Sequence, residues 1–267
     1  MSPLLMKTEL YRLSRKPLMC VIAIASLFAL KGIVFMAARL GAFGGIENGF
    51  AFVGVSAGYT LFLASFLLCM SSAATLSGEY SSGLLRMNLS RPVSRSSYFL
   101  NRAFYVVFLA LLLILLDACM GTLVGGLGYG FDDVADVGLQ GPQFSRYAMA
   151  WLTVRAYAMT FLGMAGLAAL GLFISTVFRS PTLSLGAAAG FFFLMEGVRL
   201  LFREPVAGYV VTCYTGLHMD RVAAMARGIA EYSAPDFAVK SIGVPVAYYL
   251  VAGGFGLFLF MRRDVLG

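Results

Sequence analysis

The stretch Ala103–Tyr129, AFYVVFLALLLILLDACMGTLVGGLGY, carries one charge, Asp117, in 27 residues. A helix needs roughly 20 mainly apolar residues to cross a bilayer, because the hydrocarbon is about 30 Å thick and each residue rises 1.5 Å. This segment is long enough, and the rest of the chain agrees with it. Of 267 residues, 60% are hydrophobic, 14% aromatic and 12% charged. Soluble domains run about 45–50% apolar and about 25% charged, and one soluble core of this length could not hide so much apolar side chain from water. These proportions exclude a disordered or collagen-like chain, a disulfide-stapled secreted domain and most soluble enzymes.

Working outward, six segments qualify as spans: Leu18–Ala38, Ala51–Leu76, Ala103–Tyr129, a fourth within Tyr147–Phe178, Leu183–Phe202 and Val244–Met261. The fourth would be about 48 Å long if wholly helical, too long for one upright span, so its first turns, with Trp151 and Arg155, are placed in the interface or outside. The first span has the outline of a signal peptide. Its small-residue site, Ala23-Ile24-Ala25, falls in the middle of the apolar run, and with five spans behind it an uncleaved helix is expected. Cys20, Cys69 and Cys119 lie in apolar runs and read as small core residues. Cys213 falls in a loop without an obvious partner.

Orientation follows from the basic residues, which collect in cytoplasmic loops. With both termini inside, the cytoplasmic set is Lys7, Arg12, Arg15, Lys16, Arg86, Arg91, Arg95, Arg102, Arg179, Arg262 and Arg263. Against these eleven stand three acids, Glu9, Glu79 and Asp264, a net of +8. The other nine basic residues face ten acids, a net of −1, and the two sides give the chain's +7. The excess is therefore a topology signal and implies no nucleic acid. The expectation is a multi-pass membrane protein with both termini cytoplasmic.

Two elements do not span. Met6, Leu10 and Leu13 recur at helical spacing among Lys7, Arg12, Arg15 and Lys16, which predicts an amphipathic interfacial helix in residues 1–16 that enters the bilayer at Pro17. Residues 203–243 form an extracytoplasmic segment too long for a bare loop, with Asp220 as the cap of a short helix presenting Val222, Met225, Ala226 and Ile229.

Familiar catalytic patterns fail. Gly54-Val55-Ser56-Ala57-Gly58 spells G-x-S-x-G, but a nucleophile elbow needs a preceding strand and a histidine partner. The one histidine, His218, lies in the outer segment. Gly54/Gly58, Gly121/Gly125 and Gly186/Gly190 read better as G-x-x-x-G pairs for close helix packing. One histidine without clustered carboxylates offers no metal site, and the 14 methionines read as gap-fillers. None of the four lysines (Lys7, Lys16, Lys31, Lys240) follows a glycine, so no phosphate-cradling Gly-Lys loop exists. The chain is expected not to be an enzyme and to hold no cofactor.

The informative loop joins spans two and three: residues 77–102, with Ser77-Gly78-Glu79-Tyr80-Ser81-Ser82-Gly83-Leu84-Leu85, then Leu89-Ser90-Arg91-Pro92-Val93-Ser94-Arg95. Ser77 and Glu79 can open a short helix, and Arg91-Pro92 then forces an extended or turned backbone. Leu84, Leu85 and Leu89 against Arg86, Arg91 and Arg95 make an amphipathic knuckle. A bare topological anchor would explain the arginines but not the apolar, glycine-bearing stretch before them.

This loop resembles that of the type-2 ABC exporter permeases, including those of nitrous-oxide-reductase maturation and bacitracin export, which read roughly E-x-x-x-G-T-L and then L-x-x-P-x-S-R. Glu79, Gly83, Leu84, Leu89, Pro92, Ser94 and Arg95 fall on that pattern. Leu84 stands directly after Gly83 where a Thr is common, and Asn101-Arg102 replaces the usual Gly-Lys. Lys7-Thr8-Glu9-Leu10 to Lys16-Pro17 is similar to the family's entry helix, Gly171–Ser175 with Arg179-Ser180-Pro181 to the end of its fourth span, and Phe260–Asp264 to its C-terminus. The resemblance implies an all-α membrane protein of six spans forming one domain over residues 1–267. Two permease copies, as a homodimer, would sit on two ATPase subunits that bind ATP and Mg. A cytoplasmic coupling helix carrying Glu79, Gly83, Leu84, Arg91, Pro92 and Arg95 would be pushed by the ATPase to switch the permease between inward- and outward-facing states. An extracytoplasmic partner fits the same scheme, and a scaffold of this kind does not specify its cargo.

Ionisable residues inside spans are costly and mark either pathways or packing. Asp117 lies near the middle of span three, Lys31 in the outer half of span one where it can snorkel, and Glu196 and Arg199, three apart, can pair on one helix face. A substrate path and a set of structural salt bridges both fit these four residues. Their proton or cation chemistry also leaves an ion-coupled carrier or channel open, as well as a non-transporting assembly partner.

Overall fold

The computed structural model describes residues 17–43, 46–89, 94–135, 142–202, 206–228 and 235–262. The expected amphipathic helix over residues 6–16, and Arg91, Pro92, Arg203, Arg263 and Asp264, lie outside the described residues. The chain runs through α1 (Pro17–Arg39), α2 (Gly49–Ser81), the short α3 (Leu84–Leu89) and α4 (Arg95–Tyr129). A two-stranded antiparallel ribbon follows, β1 (Val134–Ala135) against β2 (Pro142–Phe144), with Val134 opposite Phe144. Then come α5 (Arg146–Val177), α6 (Pro181–Leu201), two 3-10 turns (Ala207–Tyr209 and Val211–Thr215), α7 (Leu217–Met225) and α8 (Pro235–Arg262). Among the described residues, α2, α4, α5, α6 and the Val239–Arg262 part of α8 are long and apolar enough to cross a membrane. The protein is an all-helical multi-pass membrane protein with one small ribbon. The 23-residue α1 coincides with the first expected span.

Local chemistry sets the ends. Asn48 accepts the Phe50 N–H at the start of α2, Ser94 accepts from Ser97 at the start of α4, and Ser145 accepts from Ala148 at the start of α5. Each supplies an acceptor to a first-turn donor that has no partner within its helix. Pro181 opens α6, where its missing N–H costs nothing. Pro235 opens α8, nine residues before the expected start at Val244, and the helix continues through Pro245. α4 stops at Gly130, whose φ of 74° favours a residue without Cβ. The bundle therefore has a ribbon end and an opposite end that carries α3.

α2 and α5 form the centre. Of their apolar stretches, 61% and 67% are buried, against 28%, 22% and 22% in α4, α6 and α8. Phe28, Ile33, Leu115, Leu123, Phe193, Leu194, Leu250 and Val251 of the outer helices are exposed in the isolated chain, as side chains facing lipid would be. α2 and α5 run in parallel and are stitched by polar atoms: Ser175 Oγ accepts both the Leu76 and Ser77 N–H at 2.9 Å, and Ser184 of α6 donates to the Ala73 carbonyl at 2.6 Å. A Cβ on Gly171 would lie 2.8 Å from the Cys69 carbonyl oxygen, so the two backbones meet there directly. Small residues permit such approach in a medium with no hydrophobic force between helices.

The segment after α6 does not stay outside the bundle. Val211 packs at Gly166, Tyr214 at Gly163, Asp220 at Gly58 and Ala223 at Gly54. Gly166 lies about 30 Å along α5 from its ribbon-end tip at 1.5 Å per residue, so residues 206–228 fold back as a re-entrant element and run outward again along α2. Val211, Thr212 and Met219 are fully buried. Non-helical backbone at this depth is tolerated because protein surrounds it. The helix expected here is α7, but its N-cap is Gly216 and Asp220 sits in its first turn. Gly54/Gly58 and Gly121/Gly125 make the close contacts expected of them. Gly186 and Gly190 do not: no atom lies within 4 Å of a Cβ built there, because that face of α6 looks away from the bundle. Cys69 is buried as expected, whereas Cys119 is exposed on α4.

A side chain at Gly163 must displace the Tyr214 backbone, 2.9 Å away, whereas Gly190 faces open space. Gly163→Leu should lower the melting temperature in detergent by several degrees, and Gly190→Leu should leave it within about one degree, by overpacking costs of about 1–3 kcal/mol. Equal melting of the two variants would show that the re-entrant segment is not seated against α5.

Candidate functional site

Three polar groupings interrupt the apolar bundle. The first joins four helices. Lys31 of α1 meets Asp117 of α4 at 2.9 Å, both side chains wholly buried. Lys31 Nζ also donates to Ser56 Oγ of α2 at 3.2 Å, Thr60 Oγ1 donates to Asp117 Oδ1 at 2.5 Å, and Tyr157 of α5 donates to Asp117 Oδ2 at 3.0 Å. Both carboxylate oxygens are thus occupied, as a buried charge requires. Gly121, one turn on from Asp117, leaves room for the ammonium: a Cβ there would lie 3.2 Å from Lys31 Nζ. Lys31 therefore does not snorkel. Asp117 sits 12 residues from the ribbon-side end of the 35-residue α4, which begins eight residues before the expected span Ala103–Tyr129.

The second grouping closes the α3 end. Glu79, near the end of α2, is buried against Arg102 of α4. Tyr98 donates to the other Glu79 oxygen at 2.5 Å and accepts from Arg102 at 3.2 Å, and Asn88 of α3 donates to Tyr98 at 3.3 Å. The Tyr98 ring stacks on Phe260 of α8, 11° from parallel, and Arg95 donates to the Met261 carbonyl at 3.3 Å. α3 begins after Gly83, at φ 71°. Leu85 is buried, Leu84 half-buried and Met87 exposed. Of the residues expected at this end, the structure brings Glu79, Gly83, Leu84 and Arg95 to one connection; Arg91 and Pro92 fall outside the described residues.

The third is a cleft of about 710 Å³ between α2, α6 and the re-entrant element. Arg199 and Glu196 pair within it at 3.2 Å, and Asp220, Arg227, Tyr59 and Phe62 complete its walls. Among the described residues no contact joins this pair to Lys31 and Asp117, so the four intramembrane ionisables form two separate sites. The sequence reading missed Ser56, Thr60, Tyr98, Tyr157, Asp220 and Arg227. Ser56 with Thr60, and Tyr98 with Arg102, are each one turn apart, the spacing at which side chains share a helix face; that was the only local signal.

His218 lies elsewhere, on α7. Its pKa falls to about 4, first because burial penalises the imidazolium and then because Arg221 and Arg155 add like charge. The shift favours the neutral imidazole.

Five helices able to span, with ion pairs buried at two depths, define a multi-pass membrane protein with a polar interior. The chain belongs to the family described as "Protein of unknown function (DUF2705)", whose model matches residues 18–266. No curated protein matches it.

Removing one partner of a buried pair leaves an uncompensated charge and costs about 3–5 kcal/mol, whereas replacing both by apolar residues is often neutral. Lys31→Met should therefore lower the melting temperature in detergent more than Lys31→Met combined with Asp117→Leu. A double variant less stable than either single one would remove the pairing as the organising contact.

Proposed function

We propose that this protein is the membrane subunit of an ATP-driven transporter of the type-2 ABC exporter kind, moving its cargo by alternating access powered by a separate ATPase. On this reading α1 is a sixth span, the protein lies in a bacterial cytoplasmic membrane with both termini cytoplasmic, and the α3 end faces the cytoplasm. Two copies pair in the membrane above two ATPase subunits.

The observation that carries the reading is the α3 connection. A six-residue helix stands between two helices of 33 and 35 residues, each far longer than hydrocarbon requires. It offers exposed Met87 outward and is tied inward through Asn88 to the buried Tyr98–Glu79–Arg102 group. A force on α3 would pass to α2, α4 and, through Phe260, to α8 together. The sequence resemblance of the same loop supports the assignment independently. The cleft holding Glu196, Arg199, Asp220 and Arg227 is the candidate cargo site, since it joins paired charges to an aromatic wall. An ion-coupled carrier would need Asp117 to exchange protons or cations with water. Asp117 and Lys31 are wholly buried and line neither described cavity, which favours a structural role.

Mild-detergent purification should bring down a soluble ATPase with the chain. Met87→Asp, on an exposed side chain, should abolish that association and ATP-dependent transport while leaving melting unchanged. Gradient-driven transport by the chain alone in liposomes, with no ATPase recovered, would overturn the reading.

A further inference from the structure

A second cavity, about 230 Å³, opens between α5, α7 and α8. Arg155, His218, Arg221 and Ser241 supply its polar lining, and no carboxylate lines it among the described residues. His218 is more than nine-tenths buried, and its Nε2 has no hydrogen-bond partner. Burying an unsatisfied donor or acceptor is costly, and a ligand that satisfies it recovers that cost. A site with a buried nitrogen left open, two guanidiniums and a hydroxyl is complementary to an oxyanion with several acceptor oxygens. The Arg221 guanidinium is held over the Phe237 ring at 3.2 Å, which keeps it at the cavity wall. Burial first, and then the like charge of Arg221 and Arg155, lowers the pKa of His218.

Depth and wall chemistry narrow the source. Arg155 lies one turn from Trp151, the chain's one tryptophan, which is 71% exposed on the same helix. Tryptophan concentrates at the membrane–water interface. From Arg155 to Arg179 α5 and its continuation carry no charge, about 36 Å if helical throughout. Arg155 thus marks one boundary of the hydrocarbon. The remaining walls, among them Leu152, Met159 and Ile242, are apolar, and Ile242 is 44% exposed on the outer side of α8.

We propose that this cavity binds a phosphate oxyanion, presented as the headgroup of an anionic phospholipid whose chains lie along the α5–α8 groove. Arg155 and Arg221 hold the charge, and the His218 Nε2–H and the Ser241 hydroxyl complete the oxygens. The site is independent of any ATPase, so it stands or falls apart from the transport reading.

The test uses the full chain, purified in detergent and delipidated, with melting followed as lipid is added. Phosphatidylglycerol should raise the melting temperature and phosphatidylcholine, with its quaternary ammonium, should not. Arg155→Gln, at an exposed position, should fold normally and weaken phosphatidylglycerol binding about tenfold, close to 1.4 kcal/mol; Arg155→Lys should restore part of it. His218→Phe should also weaken it without altering the response to phosphatidylcholine. Protection by inorganic phosphate alone, lost in the same variants, would confirm the oxyanion site with a free anion as its occupant. Equal response to both lipids and none to phosphate, or unchanged binding in Arg155→Gln and His218→Phe, would overturn the proposal.

Discussion

An ion pair cannot be placed at random in a bundle that lies in hydrocarbon, and the pair Lys31–Asp117 constrains the rest. An isolated charge at such a site would cost several kcal/mol. Here the ammonium and carboxylate are joined to two hydroxyls of α2 and one of α5, so four helices must keep one register to satisfy one site. The Glu79–Arg102 group imposes the same demand at the α3 end, on α2, α3, α4 and α8. Thr60 and Glu79 are 19 positions apart along α2, about 28 Å. Arg102 and Asp117 are 15 positions apart along α4, about 22 Å. Both approach the thickness of the hydrocarbon, and neither interval contains a charge. The two clamps stand at the ends of these uncharged lengths of α2 and α4 and fix their register.

That arrangement explains how α2 shares the centre of the bundle with α5. It carries small and hydroxyl residues where others carry leucine: Gly54, Ser56, Gly58, Thr60, Ser72, Ala73, Ser77. The glycines make room for α7: a Cβ at Gly54 would lie 2.6 Å from the Ala223 nitrogen, and one at Gly58 would lie 3.0 Å from Asp220 Oδ1. Several of the hydroxyls bond back to their own helix, as Ser72 does to the Leu68 carbonyl and Ser77 to the Ala73 carbonyl, so these enter the bundle with their own polar atoms satisfied. The pattern that mimics a nucleophile elbow is therefore a packing surface for the re-entrant element, with Ser56 turned toward Lys31.

Hydropathy made the spans legible because burial in lipid selects apolar residues over a fixed length, whatever lies beside them. It could not show which helix is central: α2 and α5 carry much the same hydropathy as α8, and differ in what covers them. Lys31 and Asp117 stood out in the sequence as costly residues, but their pairing depends on the register of helices 86 residues apart in the chain. Only Glu196 and Arg199, three apart on one helix, could be paired from spacing. The re-entrant segment was illegible for the opposite reason. Residues 203–243 carry enough charge and glycine to read as an exposed loop, and the glycines that receive it belong to α2 and α5.

The re-entrant segment also sets what a motion at the α3 end could do. α2 is one continuous helix from Gly49 to Ser81, held at one end by Glu79 and contacted at the other by Asp220 and Ala223 of α7. A tilt imposed through α3 pivots about the Lys31–Asp117 clamp, because that is where α2 is tied to α1, α4 and α5 at once. The ribbon-side arm beyond Ser56 carries Gly54, where Ala223 packs, so its displacement moves α7, and α7 forms a wall of both cavities. On the proposed reading, a push at the α3 end reaches the cleft of Glu196 and Arg199 by leverage about a buried ion pair, and no charged group need leave its partner.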